Sequence, residues 1–227
     1  MATTDEEGHA PSVLHQVLSA ARDAGFLGPG PIATHLRHAE GFVTLARHQA
    51  TLGPAGGGET PRLLDLGSGG GLPGLVLAEV WPTCTVVLLD ANERRTDFLR
   101  HSVTKCGLGD RVSVVHQRAE VAGRDPALRG SFDGVVVRSF GPPAVVAECA
   151  APFLHPGGWL IVSEPPGSAE GAAEEGARWP AGPLAQVGLE PQEFVRTEFG
   201  YQVLRQAEAC PDRFPRRNGV PTKSPLF

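Results

Sequence analysis

The stretch Leu63-Leu64-Asp65-Leu66-Gly67-Ser68-Gly69-Gly70-Gly71-Leu72-Pro73-Gly74 constrains this chain more than any other. Leu63 to Leu66, apolar around one acid, reads as a short buried strand. Gly67, Gly69, Gly70, Gly71 and Gly74 then leave the backbone free to take positive φ and to come close to a ligand. Leu75 to Val80 resume an apolar pattern that suits a helix. Strand, glycine-rich turn and helix in that order place a loop at the carboxyl end of a parallel strand. Open α/β sheets bind nucleotide-like ligands there.

The chain beyond the loop keeps the same rhythm. Strands are predicted at 62–66, 85–90, 111–116, 132–138 and 158–163, with helices at about 72–80, 92–106 and 141–153. That alternation argues for a mostly parallel sheet with helices on both faces. Upstream, Val13, Leu14, Val17, Leu18 and Ala21 share one helix face, and Ile32, Leu36, Ala39, Val43 and Ala46 mark a second amphipathic helix to about Thr51. The Gly28-Pro29-Gly30-Pro31 cluster separates them, residues 1–10 are expected to be disordered, and 53–60 is a glycine-rich loop. Downstream, Glu164 to Pro183 reads as a loop with a short helix, and 190–198 and 201–208 as a terminal strand pair joined at Gly200. The tail from Pro211, with further prolines at 215, 221 and 225, is expected to be neither helix nor central strand. The organisation predicted is an N-terminal tail and helical cap over 1–60, an α/β domain over 61–208 and a basic, proline-containing tail over 209–227.

Composition narrows the function classes. No run of about 18 apolar residues exists, so no membrane span is expected. Met1 to His9 is polar and acidic and unlike a signal peptide. Cys84, Cys106, Cys149 and Cys210 are scattered, as suits reduced cytosolic thiols and a cytoplasmic protein. His35 and His38 share a helix face without a cysteine or carboxylate partner, so no metal site is predicted. No heptad or dimerisation signal is readable, and a monomer is expected. Net charge is −5, and Arg213, Arg216, Arg217 and Lys223 form an acid-free basic end on an acidic body. These four are candidate phosphate contacts; alternatively the tail packs back on the body and pairs with its carboxylates. Trp81, Trp159 and Trp179 are read as core or loop anchors.

The ligand follows from the details of the loop. The dinucleotide fingerprint G-x-G-x-x-G would place glycines at 67, 69 and 72, but position 72 is Leu. Asp65, two residues before Gly67, gives the Asp-x-Gly-x-Gly form usual in S-adenosylmethionine sites. Asp90, ending the second strand, is placed to accept hydrogen bonds from ribose hydroxyls. Gln117-Arg118-Ala119-Glu120 follows the third strand, where the adenine lies in this architecture. Each acid also has a structural alternative: Asp65 as a cap on the loop's amides, Asp90 as a helix cap, Glu120 as a surface charge.

These residues resemble those of the bacterial 16S ribosomal RNA guanine-N7 methyltransferases, the RsmG or GidB family. Asp65 to Gly74 is similar to that family's S-adenosylmethionine loop, with the Gly71-Leu72-Pro73-Gly74 ending its most specific part. Asp90-Ala91-Asn92-Glu93-Arg94-Arg95 with Phe98-Leu99-Arg100, Arg118-Ala119-Glu120, and Phe132-Asp133 followed by Val137-Arg138-Ser139-Phe140 resemble its next motifs in register. Phe214-Pro215-Arg216-Arg217 through Lys223-Ser224-Pro225-Leu226 looks like its ending, and Leu27-Gly28-Pro29 with His35-Leu36 echoes actinobacterial members. The resemblance implies a class I S-adenosylmethionine-dependent methyltransferase, Rossmann-like with an N-terminal helical cap. It implies 16S ribosomal RNA, or the small ribosomal subunit, as partner. It also implies Gly67, Leu72, Ala119, Glu120 and Arg138 as cofactor contacts, joining Asp65, Gly69, Gly71 and Asp90 read from the loop. Ser163-Glu164-Pro165-Pro166-Gly167 departs from the Lys-Gly that family members carry there. A Glu is not expected to meet a phosphate or the target base, so a small molecule or protein acceptor for the same cofactor is the alternative.

Methyl transfer to guanine N7 needs an in-line approach to the S–CH₃ bond and no general base. Arg138, at the end of the fourth strand, is the candidate catalytic residue, its fork suited to a base edge, a phosphate or the cofactor's methionine carboxylate. Its structural alternative is an ion pair with Asp65 or Asp133. A nicotinamide-dependent or non-catalytic Rossmann protein is the remaining reading, opposed by Leu72.

Overall fold

The computed structural model describes residues 12–52, 60–165 and 178–227. The expected disorder of residues 1–10 and most of the glycine-rich loop at 53–60 lie outside them. Two helices come first, α1 (Val13–Asp23) and α2 (Ile32–Thr51). Ser12 caps α1 by accepting the His15 N–H at 3.2 Å, and the buried residues Leu14, Val17, Leu18 and Ala21 form the face read from the sequence.

The alternating part runs β1 (Arg62–Leu66), α3 (Gly74–Val80), β2 (Thr85–Asp90), α4 (Glu93–Lys105), β3 (Val112–His116), α5 (Ala119–Ala122), β4 (Phe132–Val137) and α6 (Pro143–Ala150). A single 3-10 turn, Ala151–Phe153, leads into β5 (Leu154–Glu164). Then come α7 (Ala181–Ala185), β6 (Leu189–Arg196), β7 (Gly200–Gln206) and α8 (Val220–Lys223). Among the described residues one sheet holds all seven strands in the order β3-β2-β1-β4-β5-β7-β6, parallel except for β7, which runs against its neighbours β5 and β6. The chain leaves β1 toward β2 and β3 and returns to the other side at β4. The crevice where connections diverge therefore opens at the carboxyl ends of β1 and β4.

Burial on both faces explains why the strands read as continuous apolar runs. Successive residues of β1 go to opposite layers: Leu64 packs with Val135, Val137 and the α6 residues Val146 and Ala150, whereas Leu63 packs with Val136, Leu88 and the residues of α1 to α4. Each such side chain contributes about 1.5–3 kcal/mol by leaving water. The helical cap belongs to the second layer. Phe42 and Tyr201 meet edge to face at 5.1 Å, and the Tyr201 hydroxyl donates to the His38 carbonyl at 2.8 Å. Gly41 is required there, because a Cβ would collide with the Tyr201 ring.

Two expectations are corrected. The tail does contain helix, α8, because Pro221 falls in its first turn, where a missing N–H has no partner to lose. β5 begins at Leu154 rather than 158, because the Pro156-Gly157-Gly158 segment is an irregularity inside the strand: Phe132 pairs with Leu154 but Gly134 pairs with Trp159. The tryptophans behave mostly as anchors. Trp159 fills the space above Gly134, and Trp159 and Trp179 are buried.

Candidate functional site

A cleft lies over the carboxyl ends of the central strands. Gly67, Asp90, Gln117, Ala119, Glu120, Ser139, Phe140 and Thr222 are among its lining residues. Gly67 enters it with φ 76°, and a Cβ there would lie 2.6 Å from the Phe140 ring. Position 67 therefore needs glycine twice over, for its conformation and for its neighbour.

Asp90 ties the loop to the next helix and also lines the cleft. Its Oδ2 accepts the Gly69 N–H at 2.9 Å and its Oδ1 the Asn92 N–H at 2.8 Å, tying the glycine loop to the start of α4. Arg95 stands 3.7 Å away. Each carboxylate oxygen has capacity for a second hydrogen bond, and Asp90 lines the cleft. Glu120 is similarly shared. Its Oε1 accepts the Gly219 N–H at 2.9 Å, with Arg118 at 3.4 Å. Burial opposes its charge, but those donors and its own backbone N–H outweigh burial and hold the carboxyl below the usual glutamate range.

Asp65, Gly69, Gly71 and Leu72 shape the loop without lining the cleft. Asp65 is completely buried, and its Oδ2 accepts the Gly74 N–H at 2.9 Å, capping α3 from beneath. Burial pushes its carboxyl up to about 7, against the Gly74 hydrogen bond and the nearby Arg138 charge. The capping alternative is thus the geometry found for Asp65. Leu72 is buried among the apolar residues of the second layer, so only its backbone is left to face a ligand.

Arg138 forms no ion pair with Asp65 or Asp133. Asp133 instead accepts the Arg62 N–H at 2.7 Å and lies 3.2 Å from His155. Arg138 Nη2 donates to His35 Nδ1 at 2.7 Å, and His35 Nε2 lies 3.1 Å from the Gly28 carbonyl. Those partners assign a neutral ring with its proton on Nε2. Burial, then the Arg138 charge, lowers the His35 pKa, consistent with that form. The other guanidinium nitrogen, Nη1, is buried with no hydrogen-bond partner. Arg138 is thus a desolvated cation held by the helical cap, and it is not among the residues lining this cleft or the one beside it.

A second cleft adjoins the first and shares Ser139 and Phe140 with it; His38, Val162, Glu164, Arg178 and Trp179 also line it. Ser139 has φ 56°, the left-handed conformation that non-glycine residues rarely adopt. Glu164 is not the unmatched negative charge its sequence position suggests. Arg178 Nε donates to Oε2 and Trp179 Nε1 to Oε1, each at 2.7 Å, and Glu164 is buried while Arg178 is half exposed. The edge therefore presents a guanidinium.

The tail cations separate. Arg216 is held against the fully buried Glu148 by a fork, with Nη2–Oε2 2.6 Å and Nε–Oε1 2.9 Å, the docked alternative read from the sequence. Arg213 lies over the Phe214 ring at 4.9 Å. Arg217 and Lys223 are exposed. Thr222, His35 and Arg178 are the site residues that sequence reasoning misses. Only His35 leaves a trace, as a polar residue on the buried face of a helix.

Comparison with known proteins agrees with this geometry. A family model described as rRNA small subunit methyltransferase G matches residues 52–174. The Ribosomal RNA small subunit methyltransferase G of Prochlorococcus marinus (strain MIT 9313) is 37% identical over 170 residues, covering 73% of this chain and 68% of that one. The protein of the same name from Thermotoga sp. (strain RQ2) is 39% identical over 169 residues, covering 73% and 72%. Among solved structures, an O-methyltransferase from Bacillus cereus in complex with SAH superposes with a TM-score of 0.60 at 17% identity, over 86% of this chain and 91% of that one. This last likeness is one of fold.

Proposed function

This chain belongs to the rRNA small subunit methyltransferase G family, and we propose that it methylates N7 of a guanine in 16S ribosomal RNA. The observation that carries the reading is the placement of Asp90 and Glu120. They are two buried carboxylates at the ends of β2 and just beyond β3, both lining the cleft that Gly67 enters. Asp90 suits a ribose diol, and Ala119 with Glu120 suits the adenine edge. Arg138, whose Nη1 is buried and unpartnered behind the cleft lining, is the donor assigned to the methionine carboxylate, and reaching it requires the lining residues to part. Asp65, Gly69, Gly71 and Leu72 support the loop from below. Bound S-adenosylmethionine supplies an electrophilic sulfonium methyl group.

The second cleft takes the acceptor base in this reading. Guanine N7 presents an in-plane lone pair and no proton, so no residue has to act as a base. The chain contributes position and charge. Phe140 walls both clefts and fixes how the base meets the methyl group. Arg178, held by Glu164, presents its guanidinium at this edge, suited to the guanine O6 or a flanking phosphate. Arg217 and Lys223 are the tail cations left to reach RNA phosphates. The helical cap over 1–60 and the tail over 209–227 flank the catalytic unit at 61–208.

The test is mass-spectrometric nucleoside analysis of 16S RNA from cells lacking this chain. Loss of one 7-methylguanosine, restored by the intact chain and not by an Arg138→Ala variant that still folds, is expected. An unchanged nucleoside profile rejects the assignment.

A further inference from the structure

We propose that the C-terminal segment is a wall of the cofactor site, and that tail docking and cofactor binding strengthen each other through Glu120. The inference rests on the placement of S-adenosylmethionine in the first cleft. The tail is fastened from its start. Arg129 donates to the Cys210 carbonyl at 2.7 Å and the Phe214 carbonyl at 2.8 Å, and Arg124 donates to the Pro215 carbonyl at 2.5 Å. Phe214 is buried in the layer beneath. Arg216 follows, its backbone N–H and guanidinium both on Glu148 of α6, with a further bond from Nη2 to the Ser224 carbonyl at 2.7 Å. That clamp sets the direction of the residues between.

Those residues reach the cleft. Gly219 donates to Glu120 Oε1, and Thr222 stands at the cleft rim. Glu120 therefore belongs to two structures at once: one oxygen holds the tail while the side chain lines the cleft where the nucleoside sits. A cofactor that orders Glu120 orders the acceptor of the Gly219 bond. A docked tail in turn holds Glu120 in place and supplies the rim that Thr222 forms. Linkage makes the two effects equal in free energy.

Hydrogen exchange of the intact protein, with and without S-adenosylhomocysteine, tests the coupling directly. Slower exchange at the Gly219 amide and its neighbours in the saturated protein is expected. Binding that leaves the tail amides unchanged overturns the coupling while leaving the cofactor assignment standing; absence of any binding overturns both. The reciprocal arm measures affinity by titration calorimetry. Arg216→Met/Glu148→Met, which removes both charges together, is expected to weaken S-adenosylhomocysteine binding about tenfold with the fold intact by circular dichroism. Thr222→Trp, which leaves the Arg216–Glu148 fork in place, is expected to do the same. Affinity within about twofold of the parent for either folded variant overturns the wall.

Discussion

Asp65→Asn isolates the electrostatic cost of the loop's buried anchor. The amide oxygen keeps the acceptor for the Gly74 N–H, so the cap on α3 survives. What changes is titration. Asp65 ionises at about 7 in the folded protein, chiefly through burial, against the usual 3.8 in the unfolded chain. Between those values the folded state holds a proton that the unfolded state has released. This carboxyl therefore contributes fully below about pH 3.8, and its contribution is lost as pH rises to about 7. The loss is roughly 4 kcal/mol in all, of which roughly 2–3 kcal/mol falls between about pH 5 and about pH 8.5. Asn carries no such dependence. Its NH₂ takes the place of Oδ1, which has no partner, and costs about 1–3 kcal/mol at every pH. The quantity to read is the change in the difference between variants. Urea unfolding of both proteins at about pH 5 and about pH 8.5 should show the Asn variant gaining roughly 2–3 kcal/mol on the parent across the interval. A difference constant to about 0.5 kcal/mol, or moving the other way, refutes a neutral, desolvated Asp65.

Other substitutions probe the remaining contacts. Arg216→Met alone strands Glu148 as a buried charge and should destabilise by about 3–5 kcal/mol in urea, with most of that recovered when Glu148→Met is added. His35→Ala removes the acceptor that holds Arg138; methylation of small subunits should fall on the order of tenfold in kcat/KM, with His35→Gln restoring part of it by supplying a new acceptor. Arg178→Ala should lower RNA methylation on the order of tenfold while S-adenosylhomocysteine affinity, measured by calorimetry, stays within about twofold. A matching loss of cofactor affinity would place Arg178 in the wrong cleft.

Local chemistry was readable, and long-range pairing was not. β1 and β2 have the boundaries that their apolar runs predict, because both strands are buried on both faces, β1 giving way to the glycine turn at Gly67 and β2 ending at Asp90. β5 was truncated in prediction because Pro156-Gly157-Gly158 carries turn chemistry that the sheet absorbs as an irregularity. The reversal of β7 between β5 and β6 depends on neighbours that no periodicity encodes. Asp90 and Glu120 were legible as acids following strands. Thr222 and His35 were not, since each joins the site through residues about a hundred positions away. The Glu164–Arg178 pair was missed for the same reason on a smaller scale: fourteen residues separate a charge from the one that compensates it.

The fit of Phe140 against the bare backbone of Gly67 has a consequence for how damage would be read in this enzyme. A side chain at 67 displaces a ring that faces both clefts, so, with cofactor and base placed as proposed, a lesion in the loop tilts the surface that meets the acceptor. Donor and acceptor alignment are therefore set by a single bearing surface. A kinetic screen would score such a variant as an RNA-binding defect, although the altered residue never touches RNA.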